Sequence, residues 1–214
     1  MHALGVRSVP IVSKGKDYVV AKNLDTVAEF VGVPPPSHVP LPPEEIFRKW
    51  MKILRAAQRY MRQFPDDQIH LRAMPNRKRI LRQLGHHVFS IGNALIESVV
   101  KGEKDMSRLC SPPLADGTFN TGDEVARYGG EVIARIEQWW GGLADKSCTQ
   151  QIDIIYGGIP MRYSVHKQLE RCAWHSTHHT RQIADVLERK GVEPDGRLSK
   201  EDLAGLPLPT RIWE

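Results

Sequence analysis

Cysteine is scarce in this chain. The 214 residues hold three, namely Cys110, Cys148 and Cys172, an odd and widely spaced set with no CxxC pair. A disulfide framework is therefore not expected, and a reducing, cytoplasmic location is. Long hydrophobic runs are missing as well. No apolar stretch approaches the ~20 residues of a membrane span, so no membrane partner is expected. The opening MHALGVRSVPIVSKGKDYVV has lysines inside its apolar part. It has no uninterrupted apolar region and no small-residue cleavage site, so no signal peptide is expected. Internal repeats are absent, and so is any recognition-helix, finger or stacking-aromatic pattern for nucleic acid.

Charge is present in both signs, with 30 Lys and Arg against 25 Asp and Glu, a formal net charge of +5 and a pI near 9.2. The basic run Asn76-Arg77-Lys78-Arg79, followed by Arg82, reads as the solvated start of a helix, because basic runs alone predict partners poorly. Nucleic acid is not an expected partner. A milder consequence of the positive charge is attraction of small anionic substrates or thiol cofactors.

Three segments follow from the patterning. In residues 1–33, Val9-Pro10-Ile11-Val12 and Asp17-Tyr18-Val19-Val20 read as strands about a Ser13-Lys14-Gly15-Lys16 turn. Leu24, Val27, Phe30 and Val31 then share a helical face. A ββα unit this small cannot bury a core by itself. Residues 34–43 hold prolines at 34–36, 40, 42 and 43, which favour an extended linker. From 44 to 214 the pattern is helical. Pro42-Pro43-Glu44-Glu45 opens a first helix that ends near Pro65. A second runs from about Asn76 to Val100, and a loop rich in Ser, Pro and Gly follows it. A third opens at Thr121 and ends at Gly141-Gly142. Residues 151–160 look like a strand-like connector. A fourth helix runs from about Met161 to Lys190, and the tail is mostly loop. The fold class is mainly α: an up-down four-helix bundle with at least one crossover, preceded by a small β-hairpin plus helix.

The fourth helix carries His175 and His179, four residues apart and so on one face, about one turn from each other. His178 is rotated by roughly 100° and reads as a surface or neighbouring residue. The stripe Gln168, Cys172, His175, His179, Ile183, Val186 faces inward. Imidazoles buried there need partners, and a metal ion supplies one. On the second helix His87 shares a face with Leu84 and Ile91, whereas His86 lies with Arg82, Gln83, Ser90 and Asn93. Helical phase therefore points His87 inward and His86 outward.

The stretch LERCAWHSTHHTRQIADVLERKGVEPDGRLSKEDLAGLPLPTRIWE resembles the C-terminal signature of DinB-like (DinB/YfiT-type) four-helix metalloproteins. RQLGHHVFSI is similar to the segment carrying that family's first histidine. The resemblance covers about residues 44–214 and implies a metal triad of His87, His175 and His179. The N-terminal piece resembles the second half of a glutaredoxin, with Ser8-Val9-Pro10 in place of its cis-proline loop. In that fold the loop backbone pairs with an extended thiol peptide such as glutathione, which makes Val9 and Pro10 thiol-binding candidates. The first half of that fold, with its CxxC or CxxS, is absent. The piece is expected to pack on the bundle or to mediate a homodimer.

Three neutral imidazoles leave open positions on a divalent ion (Zn, Ni, Fe or Mn), which can lower the pKa of bound water or activate a thiolate. DinB-like proteins include thiol-dependent S-transferases and isomerases. The resemblance thus implies a metal-dependent enzyme using a small thiol such as glutathione with an electrophile: a transferase, isomerase or hydrolase. The alternative is a non-catalytic, metal-stabilised dimeric binding or stress-response module. Cys172 sits one turn before His175, where it either approaches the metal or packs as a small apolar residue. Arg181 pairs with a substrate carboxylate or with a glutamate of the bundle. Gln182 is placed to orient a ligand histidine.

Overall fold

The computed structural model describes residues 11–21, 24–34 and 38–213. Val9 and Pro10, the thiol-binding candidates, lie outside them. Strands β1 (Ile11–Lys14) and β2 (Asp17–Val20) form an antiparallel hairpin. Its turn is the two residues Gly15-Lys16, shorter than the four expected, and Gly15 takes the positive φ of +66° that a tight hairpin requires. Helix α1 (Leu24–Val31) follows. The proline-dense segment does not hang free. His38 Nε2 lies 2.7 Å from Glu170 Oε1, and the Leu41 carbonyl lies 2.8 Å from His166 Nε2.

Four long helices dominate the rest: α2 (Pro43–Arg62), α3 (Leu81–Lys101), α5 (Gly122–Gly142) and α6 (Val165–Arg189). Their ends follow local chemistry. Pro43 and two glutamates open α2. Thr121 Oγ1 accepts from the Glu124 N–H at 3.1 Å to cap α5, and Ser164 Oγ accepts from the Lys167 N–H at 3.1 Å to cap α6. α2 and α3 each pack on both α5 and α6. Trp50, Ile53, Leu54, Tyr60, Phe89 and Leu95 are fully buried between them.

Three details depart from the sequence reading. Residues 76–80 are not the first turn of α3. They belong to a loop that turns back so that the Leu81 and Arg82 N–H groups donate to Leu71 and Ile69 carbonyls. A short helix, α4 (Met106–Cys110), interrupts the expected loop, capped by the Asp105 carboxylate accepting from the Arg108 N–H. Residues 151–164 form a second hairpin, β3 (Gln151–Tyr156) with β4 (Ile159–Ser164). A Gly157-Gly158 turn with both φ angles positive closes it, so Met161 pairs with Ile154 in a strand rather than opening α6. The tail, mostly loop, carries one short helical turn, α7 (Lys200–Leu203). None of the described helices is long and apolar enough to cross a membrane.

Candidate metal centre

α3 supplies His87 from its first two turns, and α6 supplies His175 and His179 from its middle. The α3–α6 contact brings the three rings into a near-equilateral triangle. Centroids are 5.0 Å apart for His87–His175, 4.7 Å for His87–His179 and 5.0 Å for His175–His179. One nitrogen from each lies within 4.8 Å of the others, and among the described residues this is the group of three or more such side chains able to hold a metal ion. A tetrahedral ion with metal–nitrogen bonds of about 2.05 Å separates its ligands by about 3.3 Å. Closing the widest pair needs at most ~1.5 Å, within reach of small ring rotations on an intact backbone.

Hydrogen bonds decide which nitrogens face the centre. His87 Nδ1 lies 2.7 Å from the Cys110 carbonyl oxygen, with Ser111 Oγ at 3.2 Å. A carbonyl only accepts, so Nδ1 carries the proton and Nε2 keeps its lone pair. His179 Nδ1 lies 2.7 Å from Gln182 Oε1. The Gln182 amide is itself oriented, because its NH2 donates to the Ile212 carbonyl at 2.9 Å and reaches His178 Nε2 at 3.2 Å. Its oxygen must then accept from His179, which again leaves Nε2 bare. Such partners fix tautomer and ring orientation at metal-binding histidines.

Electrostatics agree. Burial, reinforced by His179 and Arg79, pushes His87 down to about 3. Burial pushes His179 down to about 4 against the opposing Gln182 hydrogen bond. Burial, with the two other rings, holds His175 well below its ordinary value. All three are neutral near pH 7, and their donor set suits a borderline divalent ion.

The remaining sequence candidates divide. Gln182 is the residue whose Oε1 lies 2.7 Å from His179 Nδ1. Arg181 does not face the triad; its Nη1 donates to the Pro209 carbonyl at 2.8 Å, tying the tail to α6. Cys172 is buried outside the triad and accepts from Gln168 Nε2 at 3.4 Å. Burial raises its thiol well above the ordinary value and pushes Cys110 up to about 12, so both remain thiols. His86 is not solvent-facing: it is buried against Phe119 and Tyr128, with Ser90 Oγ 3.1 Å from its Nε2. Helical phase turned it away from the triad but toward α5, not toward water. His178, partly exposed, stacks on Trp174.

Several residues escaped the sequence reading. The Cys110 carbonyl and Ser111 come from α4 and its end, which Asp105 as a helix cap would have revealed. Arg171 lies one turn before His175 on α6, a spacing visible in the sequence. Its guanidinium sits 4.2 Å from the Tyr156 ring centroid and 6.0 Å from that of Trp174, and Trp174 stacks on His175 at 5.6 Å. Arg79, just before α3, is partly buried and near enough for its charge to act on His87 and His179.

Comparison with known proteins gives no relative. No family model, no curated protein and no solved structure matches this chain.

Proposed function

We propose that this chain is a mononuclear metalloprotein of the DinB-like kind, in which four long helices form an up-down bundle and His87, His175 and His179 hold one divalent ion. The observation that carries the reading is the convergence of three neutral imidazoles, two of them locked with Nδ1 protonated and Nε2 bare. The square packing of α2, α3, α5 and α6 supports the bundle. A bound divalent ion with three nitrogen ligands supplies Lewis acidity toward water or a thiolate. The protein's own part is to hold the ring orientations, exclude bulk water from one side and keep the nearby thiols of Cys110 and Cys172 protonated. The substrate thiol would come from outside, as a small molecule such as glutathione meeting an electrophile. The reaction class we infer is S-transfer, isomerisation or hydrolysis.

The test is elemental analysis of purified protein together with titration by zinc, nickel, iron(II) and manganese. One ion per chain is expected. His175→Ala should weaken binding by more than ~100-fold, beyond what changes to outer hydrogen-bond partners cost. Wild-type protein binding no metal stoichiometrically, or His175→Ala binding as tightly, would refute the reading. If metal binds and no small thiol perturbs a cobalt-substituted sample, the non-catalytic, metal-stabilised module takes precedence.

A further inference from the structure

His87 owes its orientation to a short helix. The Cys110 carbonyl, 2.7 Å from His87 Nδ1, is the last of α4, and the terminal carbonyls of a helix have no partner within it. A helix as short as Met106–Cys110 is not stable by itself in water. The place of α4 is therefore set by what it docks against. One side packs on α3, with Met106 and Cys110 buried. The β3–β4 hairpin clasps it from elsewhere. The Ile155 N–H donates to the Lys104 carbonyl at 2.7 Å, and the Gly157 N–H donates to Ser107 Oγ at 2.7 Å. Asp105 and Ile155 form a parallel bridge at the same junction. The Lys104–Asp153 ion pair, 3.8 Å apart and exposed on both sides, adds little. The same hairpin also grips α6. Gln168 Nε2 donates to the Tyr156 hydroxyl at 3.1 Å, and the Arg171 guanidinium lies 4.2 Å from the Tyr156 ring centroid. Tyr156 and Gly157 are neighbours at the hairpin tip. That tip thus touches both the helix that orients His87 and the helix that carries His175 and His179.

We propose that the tip of the β3–β4 hairpin sets the geometry of the histidine group, with Ser107 as the positioning residue: the Gly157–Ser107 bond fixes α4, and α4 fixes the His87 ring through the Cys110 carbonyl. Ser107 acts through α4 and not as a ligand. Ser111, whose Oγ lies 3.2 Å from the same Nδ1, follows Cys110 directly and moves with it. The link through Tyr156 ties this clamp to α6, so His87 is placed relative to the other two rings and not relative to α3 alone. Groups held in place before an ion arrives lose less freedom when it binds, and the partners of ligand histidines tune affinity. The inference rests on the metal reading and deepens it: the hairpin, which supplies no ligand, regulates how tightly the ion is held.

The experiment compares full-length wild type with Ser107→Ala and Ser107→Thr. Thr121→Ala serves as a control for stability alone, because it uncaps α5, which carries no triad histidine. Cobalt affinity is read by chelator competition, ligand geometry by the visible cobalt spectrum, and the His87 tautomer by nitrogen NMR of the metal-free protein. Ser107 is exposed, so its truncation leaves no cavity and the variant keeps its fold. Ser107→Ala should weaken cobalt about fivefold, the worth of one hydrogen bond, shift the spectrum and let His87 sample its other tautomer. Ser107→Thr keeps a hydroxyl and should restore all three. Thr121→Ala should lower the melting temperature and leave all three as in wild type. Wild-type affinity, spectrum and tautomer in Ser107→Ala would overturn the proposal, since packing of Met106 and Cys110 would then hold α4 alone. Equal weakening in Ser107→Ala and Thr121→Ala would overturn it too, as an effect of stability. Wild-type protein that binds no cobalt overturns the metal reading, and this inference falls with it.

Discussion

Helix α3 has two seams of opposite character. Toward α5 it closes on glycine. A Cβ placed on Gly129 would stand 2.5 Å from the Phe89 ring, and one on Gly92 would stand 2.8 Å from Ile136 Cδ1. Phe89, Val125, Val132 and Ile136 are buried there. Toward α6 the contact is polar: Ser176 Oγ donates to the Val88 carbonyl at 3.1 Å, and the three histidines follow. The first seam is complete when it is packed. The second is complete only in part, because His87 Nε2 and His179 Nε2 keep lone pairs that no N–H among the described residues takes up.

That contrast can be broken from either side. The largest effect is expected at the closed seam. Phe89→Ala should cost ~3–5 kcal/mol of unfolding free energy through lost burial and a cavity, measured by denaturant melts, while metal still binds one per chain. Loss of metal along with stability would mean that the seams are not separable.

Lowering pH should sharpen the contrast next. The triad histidines titrate far lower when folded than the ordinary value near 6.5, at about 3 for His87 and about 4 for His179. The unfolded chain therefore takes up protons first as pH falls. Stability of the metal-free protein is fully present above pH ~6.5 and should decline from there toward pH 4, by roughly 1.4 kcal/mol per pH unit for each such histidine. His86, lowered by burial in the other seam, adds in the same direction. Bound metal should delay the decline, because protons must then displace it. A flat profile between pH 7 and 4.5 would contradict the neutral, buried assignment.

The smallest effect should come from Gln182→Ala. It removes the acceptor that orients His179 without touching a ligand, and should weaken metal binding ~10–100-fold with little change in global stability. Unchanged affinity in a competition titration would show that His179 is oriented by packing alone.

Much of this site was legible before any coordinates. Spacing put His175 and His179 on one face, and phase chose His87 over His86. Both arguments work because a long helix has a fixed angular period. The cap Thr121 and the glycines Gly102 and Gly191 just past two helix ends are local signals, whereas Met161 reads as the start of α6 four residues too early because a two-strand hairpin has too few residues to show its period. The short α4 was missed for the same reason. The fate of charged side chains was least legible. Arg77, Lys78, Arg79 and Arg82 read as one solvated run, yet Arg82 is buried and donates to the Thr118 carbonyl at 2.6 Å, and Arg79 is partly buried. Whether an arginine finds a partner depends on chain segments distant in sequence, and no periodicity encodes that. The site's outer partners, the carbonyls of Cys110 and Ile212, were invisible because any residue can supply a carbonyl.

The Ile212 carbonyl has a consequence of its own. Gln182 touches the tail on one side and His179 on the other, while Arg181 and Asp185 hold the tail at Pro209 and Trp213. Tail docking and any ion held by the triad would therefore be two ligations of one helix, with their free energies linked reciprocally. Whatever factor the docked tail adds to the affinity for metal, the metal returns to the docking of the tail. A protease cutting near residue 208 would thus serve as a metal sensor, slow on the loaded protein and fast on the empty one.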